Sequence, residues 1–234
     1  MKSTWFKNPH GYTFMKAISE AYGWNQSNYT MVCEWCEAAF MALYNTARFH
    51  TCGKLYQPFE DRYSQILKKI KYPEKFSEAL VHVVNALEEK PHDFLGTVLG
   101  DLAVLDSAGK GQVFTPYELS YVSAKMILHE ADVTSYSMFK KMRLSEPACG
   151  GGSMIIAATQ VLREMGMSQN HYVFHATDID FKCVCISYIQ LTLLDIPAII
   201  THGNELSRER WGVYPTFALN RSPDYGEGAY CCLI

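Results

Sequence analysis

The stretch that decides the fold is Leu144–Ile155, "LSEPACGGGSMI". The apolar run "KMRLSEP" (Lys141–Pro147) reads as a short strand, and three glycines follow it. The segment Ser153–Gly166, "SMIIAATQVLREMG", then reads as a helix with Gly166 at its end. Glycine tolerates positive φ and has no Cβ, so a chain can turn sharply there and a ligand can reach the backbone. A helix starting at the turn aims its free N–H groups at the same spot. Three glycines alone are better explained by a tight turn that needs them only to fold, so the surrounding sequence has to decide.

Downstream, strand and helix patterns alternate. "HYVFHATDID" (His171–Asp180) reads as a strand, Phe181–Asp195 as a helix, Ala198–Gly203 as a strand and Pro215–Leu219 as a further one. This β-α-β-α-β order predicts an α/β fold with a doubly wound, mainly parallel sheet of Rossmann-like type. It also puts the glycine turn at the C-terminal end of the first strand, where open α/β sheets bind ligands. Thr115–Ala131 is expected to be a helix, with Thr115 as its cap, Pro116 at its first position and Glu118 closing a capping box.

Upstream the pattern is helical. Met31–Phe49, Glu74–Glu89 and Asp93–Asp106 carry apolar residues at helical spacing, and Ser107–Gln112 is a glycine-containing loop. The expected division is a helical domain over 1–106 and a ligand-binding domain over 107–234. At 234 residues and 48% hydrophobic composition the chain can build a full core. A net charge of −3 with no basic run argues against a self-sufficient DNA-binding surface. The apolar stretch Leu191–Ile200 is broken by Asp195 and Pro197, and the N-terminus has no apolar signal core, so a cytoplasmic protein without membrane spans is expected. The eight cysteines form no disulfide framework. Cys33 and Cys36 fall inside a predicted helix, where a buried face explains them better than a metal site.

The second strand ends in acid. Asp180 suits the cap of the helix at Phe181, whereas Asp178 is placed to accept the hydroxyls of an adenosine ribose. A dinucleotide fingerprint, G-x-G-x-x-G, fits only at Gly150 and Gly152, because Ile155 occupies the third glycine position. No phosphate-binding loop of the G-x-x-x-x-G-K-[ST] kind is present. The turn suits an adenosine ligand that carries no pyrophosphate.

Two motifs now carry a resemblance. "DFLGTVLGDLAVLDSAGKGQVFTP" (Asp93–Pro116), followed by "EPACGGGSMI", is similar to the modification subunit of type I restriction-modification systems and related N6-adenine DNA methyltransferases. The match covers about residues 93–206. It implies S-adenosylmethionine as cofactor and methyl transfer to DNA as the reaction. By the same resemblance Thr115 and Glu146 hold the methionine end, while Ala148, Gly150 and Gly152 offer close backbone. Asp178 takes the ribose, Ile179 lies on the adenine, and Asn204 stands where the family has an Asp that contacts the adenine amino group. Cys149 is expected to be a small buried filler.

The catalytic motif, [ND]-P-P-[FY] in the family, aligns best on Ser222-Pro223-Asp224-Tyr225. Ser222, Pro223 and Tyr225 are the candidate catalytic residues, with Asp224 replacing the second proline. The departure leaves two readings open. One is an active methyltransferase that meets DNA through a separate specificity subunit. The other is a catalytically degenerate cofactor-binding or interaction module of a DNA-modification complex. The sheet is expected to be short of its last strands. Its open edge at the fourth strand would then be covered by a second copy or a partner.

Overall fold

The computed structural model describes residues 8–23, 26–105, 115–129 and 133–220. The chain opens with five helices: α1 (Pro9–Tyr22), α2 (Asn28–Cys52), α3 (Gln57–Leu67), α4 (Glu74–Glu89) and α5 (Phe94–Leu105). Their ends follow from local chemistry. Asn8 Oδ1 accepts the His10 N–H at the start of α1, and Ser27 Oγ accepts the Thr30 N–H at the start of α2. Gly23 and Gly53, both left-handed, close the two helices. Phe14 on α1 meets the Trp35 and Phe94 rings edge-on at 5.0 and 5.8 Å, which locks α1, α2 and α5 together. The buried indole N–H of Trp35 donates to the Phe76 carbonyl at 3.1 Å, tying α4 to the group.

After α6 (Tyr117–Leu128) the alternation begins: β1 (Met142–Glu146), α7 (Ser153–Glu164), β2 (Tyr172–Asp178), α8 (Phe181–Leu193), β3 (Ala198–Asn204) and β4 (Glu209–Pro215), then the short α9 (Phe217–Asn220). The sheet order is β1-β2-β3-β4. The first three strands are parallel, and β4 returns antiparallel on β3 through a hairpin with a bulge at His202/Gly203. The strands advance in one direction, so right-handed crossovers put α7 and α8 on the same face. Residue alternation confirms the two faces. Tyr172, Phe174 and Ala176 lie in the large core with both helices, while Val173 joins Ile199 and Leu219 in a small cluster on the other side.

The α/β architecture, with its helical N-terminal region and mostly parallel sheet, agrees with the sequence. One hydrophobic cluster runs through both parts. Phe40 of α2 is fully buried where they meet, with its ring 5.0 Å from Tyr188 of α8, 5.1 Å from Tyr214 of β4 and 5.3 Å from Phe59 of α3.

Two expectations are corrected. Pro215–Leu219 is not a strand. The fourth strand is Glu209–Pro215, and the chain turns at Thr216, whose hydroxyl donates to the Ile196 carbonyl and accepts the Ala198 N–H. Phe217–Asn220 then forms a helical turn that lays Leu219 across Val173 and Ile199. Thr115 does not cap α6 either. Pro116 holds the cap position in an extended conformation with no side-chain cap bond, so the helix begins one residue later than expected and Glu118 has no capping partner at Thr115. Among the described residues both β1 and β4 are edges of the sheet.

Replacing Phe40 with alanine is expected to cost about 3–5 kcal/mol, the range for emptying a buried aromatic site. Urea unfolding of wild type and Phe40→Ala measures it. A loss under about 1 kcal/mol would mean that α2 is not fastened to the sheet in this way.

Candidate functional site

The three glycines do two different jobs. Gly150 (φ 53°) and Gly152 (φ 91°) are left-handed, so they supply the sharp turn from β1 into α7. Gly151 is not left-handed. Its requirement is space, because a Cβ there would collide with both carboxylate oxygens of Asp93. Asp93 is buried at the start of α5, a contact that sequence analysis did not foresee.

The turn is fastened to the end of β2. Cys149 N–H donates to the Thr177 carbonyl at 2.9 Å, and Gly150 N–H donates to Asp178 Oδ2 at 2.8 Å. The other oxygen of Asp178 accepts the Asp180 N–H at 2.9 Å. Asp180 caps α8 as expected, its carboxylate accepting the Lys182 N–H at 2.9 Å. Asp178 therefore holds two backbone segments at once, and further lone pairs remain on each oxygen for a ligand hydroxyl.

Glu146 ends β1 beside it. Burial raises the Glu146 pKa, the Ala148 N–H it accepts opposes the rise, and the negative charge of Asp178 adds to it. Two carboxylates thus lie at the C-terminal ends of adjacent strands, close enough for the charge of Asp178 to act on Glu146. Gly152, the N-cap of α7, has no side chain to bond the first helical N–H groups. The positive end of α7 thus begins directly at the turn.

Sequence analysis named Ala148, Gly150, Gly152, Glu146 and Asp178, and the fold brings them together at this turn. Ile179 follows Asp178 and is 60% exposed. Asn204 ends β3, where its amide oxygen accepts the Leu206 N–H at 3.0 Å and so shapes the β3–β4 hairpin. Thr115 is exposed, just ahead of α6. The α6 helix is joined to the start of α7 by a Ser120–Ser153 hydroxyl pair at 2.9 Å. Cys149 is buried, and its thiol is pushed up to about 12, which fits a filler and not a nucleophile. Cys33 and Cys36 lie on α2, with Cys36 in the core, and the described cysteines are free thiols. The candidate catalytic residues Ser222, Pro223 and Tyr225 lie outside the described residues. No helix among the described residues is long and apolar enough to cross a membrane.

Residues 92–225 match the N-6 DNA Methylase family. Among solved structures, the methyltransferase subunit of a type I restriction-modification system from Streptococcus thermophilus is similar, with 10% sequence identity and a TM-score of 0.41. That alignment covers 87% of this chain, which spans 59% of the other. No curated protein matches the chain.

Gly151→Ala is expected to destabilise the protein by about 1–3 kcal/mol, as overpacking does, since the neighbour it meets is a buried carboxylate held by hydrogen bonds. Gly166→Ala is the control, because nothing lies within 4 Å of its Cβ and only its left-handed φ is strained. Thermal unfolding of both variants separates lack of space from backbone strain.

Proposed function

Since the chain belongs to the N-6 DNA methylase family over residues 92–225, we propose that its turn at 146–152 binds S-adenosylmethionine for methylation of adenine N6 in DNA. The observation that carries the reading is the bond from Gly150 N–H to Asp178 Oδ2. It sets a carboxylate against a Cβ-free turn and an uncapped helix start. The residues present fit the group. Asp178 would accept ribose hydroxyls, and Ile179 would lie against the adenine. Glu146, whose pKa burial and Asp178 raise, would gain from a cationic methionine end. Thr115, ahead of α6, would contribute a hydroxyl at the same end, and Asn204 would meet the adenine amino group by giving up the longer of its two hairpin bonds, the one from the Ser207 N–H at 3.4 Å. When bound, S-adenosylmethionine supplies an electrophilic methyl group.

The roles of Ser222, Pro223 and Tyr225 rest on the resemblance. Ser222 Oγ would accept a hydrogen from the target amino group and help aim its lone pair, and Tyr225 would stack on an extruded base. Pro223 would hold the loop between them. DNA would be read by a separate specificity subunit, in keeping with the net charge of −3. The expected compartment is the cytoplasm, with a second copy or partner subunit on an open sheet edge. The division into a 1–106 helical unit and a 107–234 methyltransferase unit belongs to the same reading.

Calorimetry with S-adenosylmethionine tests the site. Asp178→Ala is expected to weaken binding by about 1.5–3 kcal/mol, the scale of hydrogen bonds to a charged group. Equal affinities would remove Asp178 from the site. Transfer of a radiolabelled methyl group to DNA tests the reaction. Because Ser222 lacks the planar carboxamide of the family motif, the wild-type chain alone is expected to be slow. The variant Ser222→Asn with Asp224→Pro should be faster, by up to the roughly 10²–10³-fold that one positioned group is worth. Cofactor binding without transfer in both proteins would favour the interaction-module reading.

A further inference from the structure

We infer that Gln190 is a positioning residue. It couples the N-terminal helices to the glycine turn and so sets the turn's affinity for the cofactor. The inference rests on the cofactor reading of that turn. Gln190 sits on α8 among the apolar side chains Ile186, Ile189 and Leu191, and is fully buried. Leucine would satisfy that position as far as packing goes. A buried amide costs free energy unless its polar atoms are bonded.

Here its polar atoms are bonded to three separate places. Oε1 accepts the Leu95 N–H of α5 at 2.9 Å. Nε2 donates to Asp93 Oδ1 at 2.8 Å and to the Gly151 carbonyl at 2.7 Å. Asp93 Oδ1 also accepts the Gly96 N–H at 2.8 Å, so the carboxylate caps α5 while it faces the turn. One side chain thus joins α5, α8 and the glycine turn.

The consequence for the site follows from peptide planarity. Fixing the Gly151 carbonyl fixes the plane of the Gly151–Gly152 peptide. Gly152 N–H is thereby aimed at the Cys149 carbonyl, which it meets at 2.8 Å. The start of α7 follows from that plane, and with it the direction of the first free helical N–H groups. A glycine turn has little conformational preference of its own, so an external bond to its central residue has unusual leverage. The Asp93 side of the joint keeps the space: Gly151 lies against that carboxylate so closely that no side chain fits.

The test uses the full chain, calorimetry with S-adenosylmethionine and its demethylated product, and unfolding curves under the same conditions. Wild type is measured first, since failure of wild type to bind either ligand defeats the cofactor reading itself. Given wild-type binding, Gln190→Met, which keeps the volume and loses all three bonds, is expected to bind about tenfold more weakly at a temperature where it remains folded. Gln190→Glu keeps the acceptor for Leu95 but, ionised, cannot donate. It would also set a second carboxylate against Asp93, to which Gln190 now donates. At pH 8 it should be as weak as Gln190→Met. At pH 6 the shared proton restores a donor, and its affinity relative to wild type should recover several-fold while that of Gln190→Met does not.

A merely structural pin would leave the ratio of variant to wild-type affinity unchanged by pH. The inference is overturned if folded Gln190→Met binds within twofold of wild type, or if Gln190→Glu tracks it at both pH values. Should Gln190→Met lose its cooperative melt, the pH comparison of Gln190→Glu with wild type decides alone.

Discussion

A buried carboxylate with no room beside it for a side chain is the constraint on which the centre of this molecule depends. Asp93 is removed from solvent at the start of α5, and burial raises its pKa while bonds from Gln190 and the Gly96 backbone pull it back. An isolated buried carboxylate would be costly. Its bonds make the site tolerable, and they also fix where α5, α8 and the glycine turn lie relative to one another. Gly96 and Gly151 both approach it too closely for a Cβ. Glycine at 151 is thus dictated by a residue 58 positions earlier in the chain, through packing and not through the local turn.

The sheet imposes a second constraint. Strands that advance steadily from β1 to β3 place both crossover helices on one face. The helical region covers that layer, and Phe40 carries the join among the rings of Tyr188, Tyr214 and Phe59. On the opposite face the described core is small, built from Val173, Ile199 and Leu219. The candidate site is at the C-terminal ends of β1 and β2, the end of an open α/β sheet where ligands generally bind.

On the proposed cofactor reading, Asp178 would join a structural and a functional role in one side chain. Its two oxygens hold Gly150 and Asp180 in place. The same bonds fix the orientation of the carboxylate, so a ligand hydroxyl would find an acceptor already held. The amide oxygen of Asn204 is committed to the β3–β4 hairpin, where it accepts the Leu206 and Ser207 N–H groups.

The sequence by itself determined the strand–helix alternation from β1 to β3, the glycine turn, the acid at the end of β2 and the cap at Asp180. Each of these is local: helical spacing of apolar residues, positive φ at glycine, a short acceptor before a helix. The helix Glu74–Glu89 was legible to the residue for the same reason. It did not determine β4, because "ERWGVYP" lacks clean alternation and is held by its pairing with β3. Nor did it determine the cap of α6, where Pro116 and not Thr115 takes the position. The partnership of Asp93, Gln190 and Gly151 was decided only by the tertiary structure. Three residues spread over 97 positions, each with an adequate local explanation, acquire a joint role when the helical layer brings a carboxylate and an amide beneath the turn.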